Sequence, residues 1–127
     1  MTLLWIGIGS ALGGMARYLF QGAAQRWLGA GFPWGTLGVN IAGSAFIGLF
    51  ATLTAADGRW LVAPTARQFV MVGLCGGFTT FSSFSLETLN LMRGGQWLAA
   101  GANATASLVC CLGAVWAGHT VAAILNR

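Results

Sequence analysis

Long apolar stretches separated by short polar turns leave this chain few environments in which it can fold. Hydrophobic residues make up 57% of its 127 positions and charged residues 6%, whereas a soluble domain carries ~25% charged residues. Six arginines, two acids and one histidine cannot cover a water-facing surface. A bilayer asks for no such cover, only for runs of ~20 mostly apolar residues per helical crossing. The sequence therefore describes an all-α integral membrane protein, a single domain over residues 1–127.

Four crossings can be placed. The spans run from about Leu3 to Trp27, Trp34 to Thr54, Thr65 to Met92 and Trp97 to Leu125. Pro33 suits the first turn of the second span, because its missing N–H would be unpaired there in any case. Ala55-Ala56-Asp57-Gly58-Arg59 and Arg93-Gly94-Gly95 are turns. Connections this short leave no room for a soluble catalytic domain. Small residues four apart recur at Gly9/Gly13, Ser10/Gly14, Ser44/Gly48, Gly73/Gly77 and Ala114/Gly118. Such spacing lets helix backbones approach closely. Four helices offer little interior, so a second copy of the chain is expected.

Charge placement is nearly symmetric. One side of the membrane receives Arg59, Arg67 and Arg127, and the other receives Arg26 and Arg93. Orientation follows the Lys/Arg bias between loops. A chain with almost none can insert both ways up and assemble as an antiparallel, dual-topology homodimer. The scattered arginines form no nucleic-acid footprint. Cys75, Cys110 and Cys111 lack C-x-x-C spacing, so neither a zinc site nor a dithiol motif is indicated.

The third span is the unusual one. Gly73-Leu74-Cys75-Gly76-Gly77-Phe78-Thr79-Thr80-Phe81-Ser82-Ser83-Phe84 places glycines and hydroxyls where a plain crossing would carry Leu and Ile. Adjacent Gly76 and Gly77 weaken a helix, so unwinding is expected there, near mid-membrane. Non-helical backbone at that depth survives only where protein or a water-filled cavity covers it. Unwinding would free carbonyls for a cation and N–H groups for an anion. Phe78, Phe81 and Phe84 recur at spacing three, which puts them near one helix face. Their positive ring edges suit a small anion, and Thr79, Thr80, Ser82 and Ser83 add hydroxyl donors between them.

Other polar residues stand inside the spans. Arg17 is either a vestibule residue that attracts anions or a side chain that snorkels to the interface. Asn40, taken alone, reads as an interhelical hydrogen bond. Glu87, the only carboxylate in any span, reads as a pathway residue, the alternative being an interfacial charge near the helix end. Asn103 and Ser107 share a face of the fourth span, and His119 stands near its end as an interfacial group.

Together these segments resemble the Fluc/CrcB family of fluoride channels over essentially the whole chain. The resemblance rests on Gly73 to Phe84, on Phe32-Pro33-Trp34-Gly35-Thr36 leading to Asn40 and Gly43-Ser44, and on Gly13-Gly14-Met15-Ala16-Arg17-Tyr18. It implies an antiparallel homodimer of four-helix subunits in the cell (inner) membrane, exporting fluoride passively for fluoride resistance. The third helix would be broken at mid-membrane. A structural sodium ion at the dimer centre would be held by the backbone carbonyls of Gly76 and Thr79 from both subunits. Two pores would flank it, each with Phe81 and Phe84 as its rings and Asn40 as a donor. Thr80, Ser82, Ser83 and Glu87 would form a polar track. Ser107 would stand on the fourth-helix side, with Arg17 toward the vestibule. Members of the family often carry Tyr at the position of Asn103 and Thr at that of Ser83.

Rival classes fit less well. A small multidrug-resistance exporter shares the size and spans but needs a carboxylate deep in its first helix, where this chain has Arg17. A membrane thiol oxidoreductase needs a paired dithiol. An assembly subunit would explain the small-residue packing but not the Gly-Gly, Thr-Thr and Phe spacing.

Overall fold

The computed structural model describes residues 1–127, all of them in helices or the turns between them. Helix α1 spans Thr2–Leu28 and ends at Gly29, whose φ of 84° is a left-handed value that suits glycine. Helix α2 spans Trp34–Leu53 and follows directly on Pro33. The third crossing, Pro64 to Arg93, is composite. It consists of α3 (Pro64–Gln68), a π-helical segment (Phe69–Cys75), α4 (Gly76–Phe78) and α5 (Phe81–Arg93). Helix α6 spans Trp97–Leu125. Four of these segments, counting the third crossing as one, are long and apolar enough to cross a membrane.

The interior mixes apolar, polar and glycine positions, and the outside is largely apolar. Only 18 of 127 residues are buried, and among them are Thr36, Thr54, Thr80, Thr88, Asn103 and Ser107. Large apolar side chains such as Leu3, Trp27, Leu61, Leu98 and Leu108 face outward. A water-soluble monomer does not expose apolar surface on this scale. In a bilayer the same arrangement is favourable, since lipid accepts the apolar side chains and the bundle pairs the polar ones.

Glycines set the two closest helix contacts. Along α1 and the third crossing, a Cβ at Gly9 would lie 2.6 Å from the Phe69 carbonyl oxygen, and one at Gly77 would lie 2.9 Å from Ser10 Cα. On the opposite side of the bundle, α2 and α6 form the most extensive pairing. There Gly48 packs on the Val115 carbonyl, and a Cβ at Gly118 would lie 2.9 Å from the Leu49 nitrogen. A Cβ at Gly14 would meet nothing within 4 Å, so no neighbouring helix requires glycine there inside the subunit.

Unwinding at Gly76-Gly77 is not what the backbone does. Gly76 has φ −63° and ψ −37°, and both glycines are helical. The extended residues are Thr79 (φ −88°, ψ 160°) and Thr80 (φ −156°, ψ 114°). Capping decides the position. Thr80 Oγ1 accepts from the Ser83 N–H at 3.1 Å, which makes Thr80 the N-cap of α5. The extended pair also splits the phenylalanine series. Phe78 lies before it and meets Phe20 edge-on at 6.1 Å. Phe81 and Phe84 lie after it and pair with each other at 5.3 Å. Constant helical spacing across all three rings fails because the register does not continue through Thr79 and Thr80.

Candidate functional site

The extended residues draw two N–H groups away from their helical carbonyl acceptors. In a continuous helix the Thr80 N–H would bond the Gly76 carbonyl, and the Ser83 N–H would bond that of Thr79. Here Thr80 N–H donates to Asn40 Oδ1 at 2.8 Å, and Ser83 N–H donates to Thr80 Oγ1. Asn40 Nδ2 in turn donates to the Thr80 carbonyl at 3.0 Å. Asn40, projecting from α2, thus satisfies both backbone groups of a residue that has left the helix. One of its two amide hydrogens is committed to that task, and the other remains available. Thr79 stays tied to the preceding turn, with its N–H and its hydroxyl both donating to the Cys75 carbonyl, at 2.9 and 2.8 Å. Its methyl packs on Gly43.

A cavity of about 570 Å³ opens beside this point, lined by Asn40, Gly76, Thr79, Thr80, Phe81, Phe84 and Ser107 among others. Ser107 Oγ is buried there without a hydrogen-bond partner. Phe81 is 79% exposed, so one subunit covers little of that ring. Gly76 is also exposed, with nothing within 4 Å of its Cβ position.

A second cavity of about 720 Å³ adjoins the other end of α5 and is lined by Tyr18, Gln21, Thr36, Ser83 and Glu87 with neighbouring turn residues. Ser83 connects the two regions, because Thr80 Oγ1 donates to its Oγ at 3.1 Å and Ser82 Oγ stands 3.3 Å from the same Thr80 oxygen. Glu87 Oε1 accepts from Thr36 Oγ1 at 2.8 Å, while Oε2 is buried and unpartnered. Arg17 is half-buried and lines neither cavity.

Residues 4–119 match the family model described as CrcB-like protein, Camphor Resistance (CrcB). The chain belongs to the CrcB-like family. It is 58% identical over 127 residues to the fluoride-specific ion channel FluC of Methylocella silvestris, covering all of this chain and 97% of that one. It is 58% identical over 123 residues to the protein of the same name from Opitutus terrae, covering 97% and 93% of the two chains. The FluC of Paramagnetospirillum magneticum is 54% identical over 127 residues, covering 100% and 99%.

Several side chains of this CrcB-like protein matter structurally although sequence reasoning gave them no role. Thr36 is 3% exposed and joins Gln21 to Glu87. Thr88 donates to the Phe84 carbonyl at 2.7 Å and accepts from Asn103 Nδ2 at 2.9 Å. Spacing held part of this signal, since Thr36 and Asn40, and Ser83 and Glu87, lie one helical turn apart. Asn103 and Ser107 do share a buried face. His119 is exposed, with its Nδ1 2.8 Å from Thr52 Oγ1. All three cysteines are free.

Proposed function

We propose that this chain is a fluoride channel of the cell (inner) membrane that exports the ion passively and confers fluoride resistance. The observation that carries the reading is the polar interruption of an apolar crossing. Thr79 and Thr80 leave the helix, Asn40 closes the backbone hydrogen bonds of Thr80, and a cavity with aromatic and hydroxyl walls opens beside them. The names of the FluC relatives support the choice of ion. We read the extended pair as the mid-membrane break of the third helix.

Fluoride is small and holds water tightly, so a pore must supply hydrogen-bond donors in place of that shell. Ser107 Oγ, with no partner of its own, is one such group. The spare amide hydrogen of Asn40 and the hydroxyl of Ser83 are others. Phe81 and Phe84 add positively polarised ring edges. Glu87, bonded through Oε1 to Thr36, ends the track toward the larger cavity, with Arg17 on the aqueous side.

The functional unit in this reading is an antiparallel homodimer with two pores. It would cover Gly76 and the outer face of Phe81, which a single subunit leaves exposed. Sodium fits the same centre. The carbonyls of Gly76 and Thr79, the pair named by family resemblance, have lost their helical N–H partners to Asn40 and Thr80, and hard cations take oxygen ligands of this kind. A bound sodium would supply positive charge at the dimer centre and hold the subunits together. The deciding experiment is fluoride efflux from proteoliposomes followed with an ion-selective electrode, chloride serving as control. Prompt fluoride loss without chloride loss is expected. Vesicles that retain fluoride would refute the reading.

A further inference from the structure

We propose that Gln21 is a positioning residue for the pore: it sets the direction of the Thr36 hydroxyl and thereby holds the Glu87 carboxyl by Oε1. This rests on the channel reading above. Gln21 Nε2 donates to Thr36 Oγ1 at 2.9 Å, and Thr36 Oγ1 donates to Glu87 Oε1 at 2.8 Å. Thr36 has a single hydroxyl hydrogen. Because Gln21 presents a donor, that hydrogen has no acceptor on the α1 side and points to Glu87. Oε2 is left as the uncommitted oxygen of a side chain that lines the larger cavity.

Five other threonines in this fold show why Thr36 depends on its neighbours. Thr52, Thr54, Thr79, Thr88 and Thr120 each donate their hydroxyl to the carbonyl four residues back, a common helical habit. Thr36 stands in the first turn of α2, where no carbonyl of its own helix lies four residues behind it. Its orientation is decided from outside the helix. A second observation concerns Gly35. A Cβ there would lie 2.9 Å from Gln21 Cα and 3.1 Å from its Cγ. Only glycine at position 35 lets the Gln21 stem lie against α2 at the height of Thr36.

The test compares Gln21→Met alone and combined with Thr36→Val or Thr36→Ser, reading fluoride efflux from proteoliposomes and the infrared band of the Glu87 carboxyl, which is identified by its loss in Glu87→Gln. Gln21→Met should lower efflux about tenfold, the scale of one hydrogen bond in a charged network, and should shift the band. Both effects should persist with Thr36→Ser. With Thr36→Val they should vanish, because Gln21 then has nothing to orient, whereas a packing role for Gln21 would survive that change. Unaltered efflux and band in Gln21→Met would overturn the inference. So would equal effects in the Thr36→Val background. If Thr36→Val passes no fluoride at all, the band decides. Failure of the wild-type protein to conduct fluoride would refute the channel reading separately, and the infrared arm would still show whether Gln21 holds Glu87.

Discussion

Asn40 and Thr80 exchange two hydrogen bonds, Thr80 N–H to Oδ1 at 2.8 Å and Nδ2 to the Thr80 carbonyl at 3.0 Å. An antiparallel strand neighbour would make the same pair of bonds. In hydrocarbon an extended residue cannot go without such a partner, and here one side chain from α2 provides it. Asn40→Asp removes the donor toward the Thr80 carbonyl and places negative charge beside the proposed anion path. Fluoride efflux should fall by roughly ten- to a hundredfold, since hydrogen bonds in charged settings carry ~1.5–3 kcal/mol. Wild-type efflux in reconstituted Asn40→Asp would remove Asn40 from the pore.

Thr80 caps α5, and only its hydroxyl can do so. Thr80→Val keeps the shape but strands the Ser83 N–H, which should cost ~1 kcal/mol of stability. Thr80→Ser should be close to neutral. Thermal melts of the detergent-solubilised protein measure the difference, and equal melts for the two variants would argue against the cap.

Gly9 and Gly76 make opposite predictions. A side chain at Gly9 meets the Phe69 carbonyl at 2.6 Å, so Gly9→Val should prevent α1 from seating and abolish a monodisperse protein. Gly76 has open space around it within the subunit. Gly76→Trp should therefore leave the subunit folded and disrupt the proposed dimer, a change visible as a drop in mass by light scattering. A Gly76→Trp protein that remains dimeric would place the partner copy elsewhere.

Asn103 is 1% exposed and donates to Thr88. Asn103→Leu should destabilise by about 0.6–1.7 kcal/mol, the range for interhelical polar contacts in membranes. Asn103→Asp should cost more, because a buried carboxylate cannot donate to Thr88 and carries an uncompensated charge. Denaturation midpoints that rank Leu below Asp would contradict this.

Sodium, if held as proposed by the Gly76 and Thr79 carbonyls of two subunits, should stabilise the folded protein by mass action. Melting temperature should rise when sodium chloride replaces choline chloride at equal ionic strength. Identical melts in the two salts would leave the Gly76 and Thr79 carbonyls without that ion.

The all-helical build and the four apolar crossings follow from the amino-acid sequence alone, because charge is too scarce for any solvent but lipid. The Gly/Thr/Phe segment also stood out, since its residue types contradict a plain crossing. The place where the helix stops could not be read there. Gly76 and Gly77 permit unwinding, but permission is local and the outcome is not. Whether a residue leaves the helix depends on which partner takes its freed backbone groups. That partner is Asn40, 40 positions earlier in the chain, and it reaches Thr80 and not the glycines. The Gln21–Thr36–Glu87 connection was hidden for the same reason, as it joins three crossings across 15 and 51 positions. Periodicity reports which faces of a helix are apolar. Only packing decides which polar groups, distant in sequence, come within 3 Å of one another and so must satisfy each other away from water.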